Sequence, residues 1–124
     1  MKKTGLRKLT TPELVARFEK LTLDQEIEML ALESGRYNKL YRQIAAVIDE
    51  LKHRDGDRRR DLFRLLDHES LHVRYLVASH CDEIDPARSR PILREIADCG
   101  MQPYALNAGT DLYFRERRER GEMP

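Results

Sequence analysis

The chain has no tryptophan, two cysteines, scattered glycines and almost no charge excess: 23 basic residues stand against 22 acidic ones among 124, a formal net charge of +1. Each shortage removes a class of function. A dedicated nucleic-acid binder carries a clear basic surplus. Gly5, Gly35, Gly56, Gly100, Gly109 and Gly121 lie apart from one another, so no glycine-rich loop cradles a phosphate, and each reads as a turn or a helix end. No apolar run approaches the roughly 18 residues of a membrane span. The basic opening MKKTGLRKLTTPEL is not followed by the apolar core of a secretory signal, so the expected location is the cytoplasm, without membrane contact.

Cys81 and Cys99 form no Cys-x-x-Cys pattern. On consecutive antiparallel helices joined near residue 85 they would be offset by about 15 Å along the helix axes, beyond disulfide reach. Both are expected as buried, reduced thiols.

What the chain does have is helical periodicity. Apolar residues make up 40% and charged residues 36%, enough burial for one domain of modest core. Thr10-Thr11-Pro12-Glu13 combines N-cap hydroxyls, an early proline and a first-turn acid. A helix is expected from there to about Ser34, with Leu14, Phe18, Leu21, Met29 and Leu32 along one side and Gly35 as its stop. A second, from about Arg36 to Arg54, repeats Tyr37, Leu40, Tyr41, Ile44, Val47, Ile48 and Leu51 at three- and four-residue steps, closed by the Asp55-Gly56 turn. A short third helix is capped by Asp57 and carries Leu62, Phe63, Leu65 and Leu66, with Asp55, Asp57 and Asp61 offsetting Arg58-Arg59-Arg60. Ser70 caps a fourth, over about Leu71 to Glu83, with Val73, Leu76, Val77, His80, Cys81 and Ile84 inward.

Pro91 interrupts the fifth helix, whose regular part is expected from Ser89 to the stop at Cys99-Gly100. The segment from Pro103 to Arg120 is one helix, or two split at Gly109-Thr110. Residues 1–9 are expected as an N-terminal arm and 116–124 as a frayed tail. With no sustained alternation and no hairpin turn between apolar runs, the fold class is all-α.

Within "LLDHESLHVRYLVAS", residues 65–79, His68-Glu69-Ser70-Leu71-His72 satisfies the H-E-x-x-H spacing of zinc peptidases. That site needs both imidazoles one turn apart on one helix, with the glutamate as general base. Asp67 and Ser70 are helix-terminal residues, which puts His68 before a cap and His72 after it. Tyr75 and Ala78 occupy the glycine and the last histidine of the extended motif. The stretch therefore reads as a turn between helices, with metal-dependent hydrolysis through His68, Glu69 and His72 kept as an alternative.

The same stretch, continued to Ile84, resembles the core of a HEAT-type repeat, with Leu65, Leu66, Val73, Arg74, Val77, Ala78 and Ile84 on the pattern. His68, Glu69, Leu76 and His80 depart from it. Leu14-Val15-Ala16-Arg17-Phe18, Tyr37-Asn38-Lys39-Leu40-Tyr41 and the span Asp49 to Arg60 resemble a family of short bacterial proteins described only as a domain of unknown function. The resemblance implies a right-handed α-α superhelix of HEAT/armadillo type with about three stacked antiparallel helical pairs, and it brings no activity.

Arg74 would then sit at a repeat junction, bridging to an acid of the turn or the neighbouring repeat. With Asp67, His72 and Tyr75 it makes up the candidate interaction or junction residues. His80 is expected in the core with a hydrogen-bond partner, His72 solvated, and Tyr37 and Tyr41 in the core. The basic clusters, interleaved with acids, read as solvated surface. No catalytic, cofactor or metal residue is expected. The function this points to is a non-enzymatic scaffold that binds another protein or itself as a homodimer. Nucleic-acid binding by a HEAT-like module is the alternative.

Overall fold

The computed structural model describes residues 3–32 and 34–122, and among these the regular elements are all helical. They are α1 (Lys3–Leu6), α2 (Thr11–Leu30), α3 (Ser34–Lys52), a 3-10 helix (Arg58–Leu65), α4 (Leu71–Cys81), α5 (Pro86–Ala97) and α6 (Tyr104–Glu119). None is long and apolar enough to cross a membrane. The helices group into two compact units that meet in sequence between Arg64 and Leu65.

In the first unit, α2 begins as Thr10 and Glu13 require. The Glu13 amide donates to Thr10 Oγ1 at 3.2 Å and the Thr10 amide to Glu13 Oε1 at 2.8 Å, a reciprocal capping box that satisfies two otherwise unpaired donors of the first turn. These bonds also hold the Glu13 carboxyl below its ordinary pKa. The helix stops earlier than Gly35 suggests. Leu30 is its last residue, Leu32 turns the chain with φ +60°, and Gly35 lies inside α3. The inner stripe is Leu14, Val15, Phe18, Thr22 and Gln25. Thr22 stays satisfied there by donating from Oγ1 to the Phe18 carbonyl at 2.7 Å.

The short link over 31–33 folds α3 back antiparallel on α2. Ile44, Val47, Ile48 and Leu51 are buried, as their spacing requires. Tyr41, expected in the core, is 60% exposed, and Tyr37 is only half-buried. At the other end Leu6 is buried, and Arg54 binds the N-terminal segment. It donates to the carbonyls of Leu6 (3.2 Å) and Leu9 (2.7 Å), to Thr11 Oγ1 (3.2 Å) and to Glu50 (3.0 Å). The start of the expected arm, Met1 and Lys2, lies outside the described residues.

The third expected helix is a 3-10 helix, because its arginines are claimed locally. Asp57 sits at φ +52° and accepts from Arg59 Nε (2.8 Å), Nη2 (2.6 Å) and backbone N (3.3 Å). Arg58 pairs with Asp61 at 2.5 Å, and Arg60 donates to the Gly56 carbonyl at 2.7 Å.

In the second unit, α4, α5 and α6 pack on one another around Val73, Val77, Ala78, Cys81, Leu93, Ile96, Ala105, Ala108 and Leu112. Ser70 caps α4 through a 3.2 Å bond from the Val73 amide. α5 runs unbroken through Pro91. The carbonyl that loses its donor belongs to Ala87, and both residues are exposed, so water replaces the bond. α6 is continuous through Gly109, whose missing Cβ would stand 4.0 Å from the Ala97 Cβ, so the helices pass close without a clash. Glu116 pairs with Arg94 and Glu119 with Arg90 along the last turn of α6, which runs to Glu119. Met123 and Pro124, the end of the expected tail, lie outside the described residues. Cys81 is buried as expected, whereas Cys99, beyond the end of α5, is exposed; both are free thiols.

Candidate interaction surface

The chain leaves helix between Leu65 and Leu71, so His68 and His72 do not share a helical face. His68 Nδ1 accepts from the Ser70 amide at 2.9 Å, inside the turn. His72, expected at the surface, is 3% exposed, with Nδ1 3.0 Å from the Tyr104 hydroxyl. Burial follows from Tyr104, whose ring lies edge-on to both His72 (5.6 Å) and Tyr75 (6.1 Å). Among the described residues no three His, Cys, Asp or Glu side chains are placed to hold a metal ion.

Of the four residues singled out from sequence, Arg74 reaches back to the turn, but its acceptor is the His68 carbonyl at 2.5 Å and not an acid. Asp67 is exposed in the same turn. His72 and Tyr75 belong instead to the interior of the α4–α6 contact. His80, expected inside, is half-buried.

Tyr75 opens a polar seam that the sequence reading missed. Tyr75 and Ser79 of α4 and Asp82, its C-cap, recur at four- and three-residue steps opposite Asp111 and Arg115 of α6. Tyr75 and Ser79 donate to Asp111 Oδ2 at 3.1 and 3.0 Å, and Arg115 donates to the Ser79 carbonyl at 2.8 Å and to Asp82 at 3.1 Å. Arg90 of α5 meets the 3%-exposed Asp82 with two parallel bonds, 2.7 and 2.9 Å, and reaches on to Glu119. Burial pushes the Tyr75 phenol up to about 12, with the adjacent Asp111 carboxylate adding to it. Bonds to Glu119 and Asp82 raise the Arg90 pKa further above its ordinary value. The Asp82 carboxylate accepts three guanidinium bonds, which makes the seam a fastening between helices, beside a hollow of about 460 Å³ that Arg118 and Glu119 also line.

A more apolar open surface lies at the tip of the α2–α3 hairpin. Between Gln25 and Ile44 no described residue is buried. Yet this span holds Ile27 (62% exposed), Leu30 (75%), Leu32 (90%) and Tyr41, half of the large exposed apolar side chains of the described chain. Leu32 is doubly unusual. It carries a large side chain into solvent from a left-handed conformation that suits glycine or asparagine and costs a leucine about 1–2 kcal/mol. The signal was in the sequence: Ile27 lies half a helical turn off the Leu14–Phe18 stripe, and Leu30 also falls outside it.

One face of the tip is a groove of about 720 Å³ lined by Asp24, Ile27 and Glu28 from α2 and by Arg36, Lys39, Leu40 and Gln43 from α3. One wall is acidic and the other basic, with Ile27 and Leu40 among the lining. Arg36 Nε lies 3.1 Å from Glu28, and Lys20 holds Asp24 at 3.0 Å. A smaller apolar hollow of about 260 Å³, between Met29, Leu32 and Tyr37, continues it at the end of the hairpin.

These features define a small all-α protein with one fastened seam and one apolar tip. The chain belongs to the family described as a domain of unknown function, DUF2019, whose model matches residues 12–114. It is similar to the protein RPA1889 from Rhodopseudomonas palustris CGA009, known from a crystal structure, with 34% identity over 90% of this chain and 92% of that one and a TM-score of 0.87. No curated protein matches the chain.

Proposed function

We propose that this chain is a non-enzymatic, cytoplasmic helical module whose work is to bind protein through the α2–α3 tip. The observation that carries the reading is the exposure of four large apolar side chains, Ile27, Leu30, Leu32 and Tyr41, on this one hairpin. Exposed apolar surface concentrated in one part of a fold marks interaction sites, and here one of the side chains also sits on an unfavourable backbone conformation. The left-handed conformation at Leu32 serves the turn after α2, but a leucine is a costly residue to place there. The HEAT-like reading of residues 65–84 belongs to the same proposal. Its support is local: a helix end at Leu65, a polar turn, the Ser70 cap and Arg74 folded back onto the His68 carbonyl.

A photo-crosslinking amino acid at position 30, introduced in the native cell, tests the reading. Protein adducts are expected from the wild-type background, and their loss when Ile27→Ser and Leu32→Ser are added. Both substitutions should change the unfolding free energy by no more than about 0.5 kcal/mol, because neither side chain is in the core. An absence of any protein adduct sinks the proposal.

A further inference from the structure

Resting on that reading, we infer that the partner seated in the tip groove is a second copy of this chain, related by a two-fold axis that runs along the hairpin. The charge layout carries the inference. The α2 wall contributes Asp24 and Glu28, and the α3 wall contributes Arg36 and Lys39. The groove is therefore neutral as a whole but split lengthwise by sign. A uniformly charged partner would be attracted by one wall and repelled by the other. A partner bearing the mirror-ordered split fits both.

A two-fold axis parallel to the helices supplies that order. It lays α2 of one copy over α3 of the other, twice, as an isologous interface requires. Asp24 and Lys39 line the same groove on opposite walls, seven residues before and eight residues after the turn residue 31. They sit at the same level of the hairpin, so the rotation brings Asp24 of each copy to Lys39 of the other. The alternative axis, running across the hairpin, would stack acid on acid and base on base. Ile27 and Leu40 then meet their counterparts in the middle, and the result is a four-helix arrangement with an apolar centre and a charged rim. The Lys20–Asp24 pair does not oppose this, because an exposed pair is weak and exchanges partners readily; Glu28, with only 15% of its side chain exposed, keeps Arg36, and the contact between copies rests on Asp24 and Lys39.

The test uses the full chain and two charge reversals on exposed or half-exposed groove residues, Asp24→Lys and Lys39→Glu, followed by sedimentation equilibrium at low and at high salt. Wild type is expected to self-associate with rising concentration towards about 29 kDa, twice the 14.6 kDa chain. Each variant alone, folded by circular dichroism, should dimerise at least ~10-fold more weakly, since like charges then face each other. An equimolar mixture of the two should recover a mixed dimer to within about threefold of wild type. A wild type that stays monomeric into the millimolar range overturns the inference, as do variants that dimerise as tightly as wild type or fail to rescue each other. The position-30 crosslink separates this failure from that of the broader reading. A monomeric wild type with heterologous adducts removes only the second copy, and one without adducts removes both.

Discussion

Arg90 and Asp82 face each other squarely: Nε stands 2.7 Å from Oδ1 and Nη2 stands 2.9 Å from Oδ2. A carboxylate this buried is tolerable only while its guanidinium partners remain, since removing one member of a buried pair leaves an uncompensated charge. Asp82→Asn should lower the unfolding free energy by about 2 kcal/mol, less than a fully interior pair, because Arg90 and Arg115 keep other acceptors. Arg90→Lys should cost about 1 kcal/mol, for a lysine cannot reproduce the planar fork. Urea denaturation of each variant checks both values, and an unchanged midpoint for Asp82→Asn would show the seam to be idle.

The Asp57–Arg59 pair makes part of the stability acid-sensitive. Arg59 is buried, and its hydrogen bonds hold the Asp57 carboxyl below its ordinary value. A depressed carboxyl pKa stabilises the fold fully above the unfolded value of about 3.9, and that contribution disappears as the pH falls through the folded value. Asp57→Asn should therefore cost about 1–2 kcal/mol at neutral pH and nothing in strong acid. Asparagine also tolerates the positive φ at this position, so the backbone is undisturbed. The measurement is the denaturation midpoint from pH 2 to 7, where the two proteins should converge at the acid end.

At the alkaline end Tyr75 acts in the opposite direction. Its folded pKa of about 12 lies above the unfolded value of about 10, so the folded chain keeps a proton that the unfolded chain has released. Stability from this group is intact below pH ~10 and drains away between there and about 12. An absorbance titration should show a late tyrosinate step near 12 that Tyr75→Phe removes.

Leu32 offers a separation of folding from binding. Leu32→Asn replaces a strained, solvent-facing side chain with one suited to left-handed geometry. It should raise the unfolding free energy by about 0.5 kcal/mol while weakening whatever association the tip supports. Thermal unfolding run beside sedimentation reads the two effects, and a destabilised variant would mean that the side chain is supporting the hairpin after all.

Local chemistry was the legible part of the sequence. Thr10 and Ser70 cap the helices they were expected to cap, and Ile44, Val47, Ile48 and Leu51 are buried as their spacing demands. The break between His68 and His72 followed from Asp67 and Ser70 alone. Two features depend on neighbours distant in sequence. His72 is buried because Tyr104 stands over it, and the α6 end is held because Arg90 and Arg94 reach it. Tyr41 fails in the other direction: its stripe is apolar, but no described residue between Gln25 and Ile44 is buried. Gly35 misled for a subtler reason, since the chain set a leucine in the left-handed position three residues earlier.

Arg54 has a mechanical consequence. By tying the end of α3 to Leu6, Leu9 and Thr11, it clamps the root of the hairpin far from its free end, so α2 and α3 behave as a cantilever anchored on one side. A docking molecule meets helical scaffolding already in place and loses little entropy in ordering it. Trimming the first nine residues would remove two of the clamp's four acceptors, the Leu6 and Leu9 carbonyls, and would slacken the lever at its base.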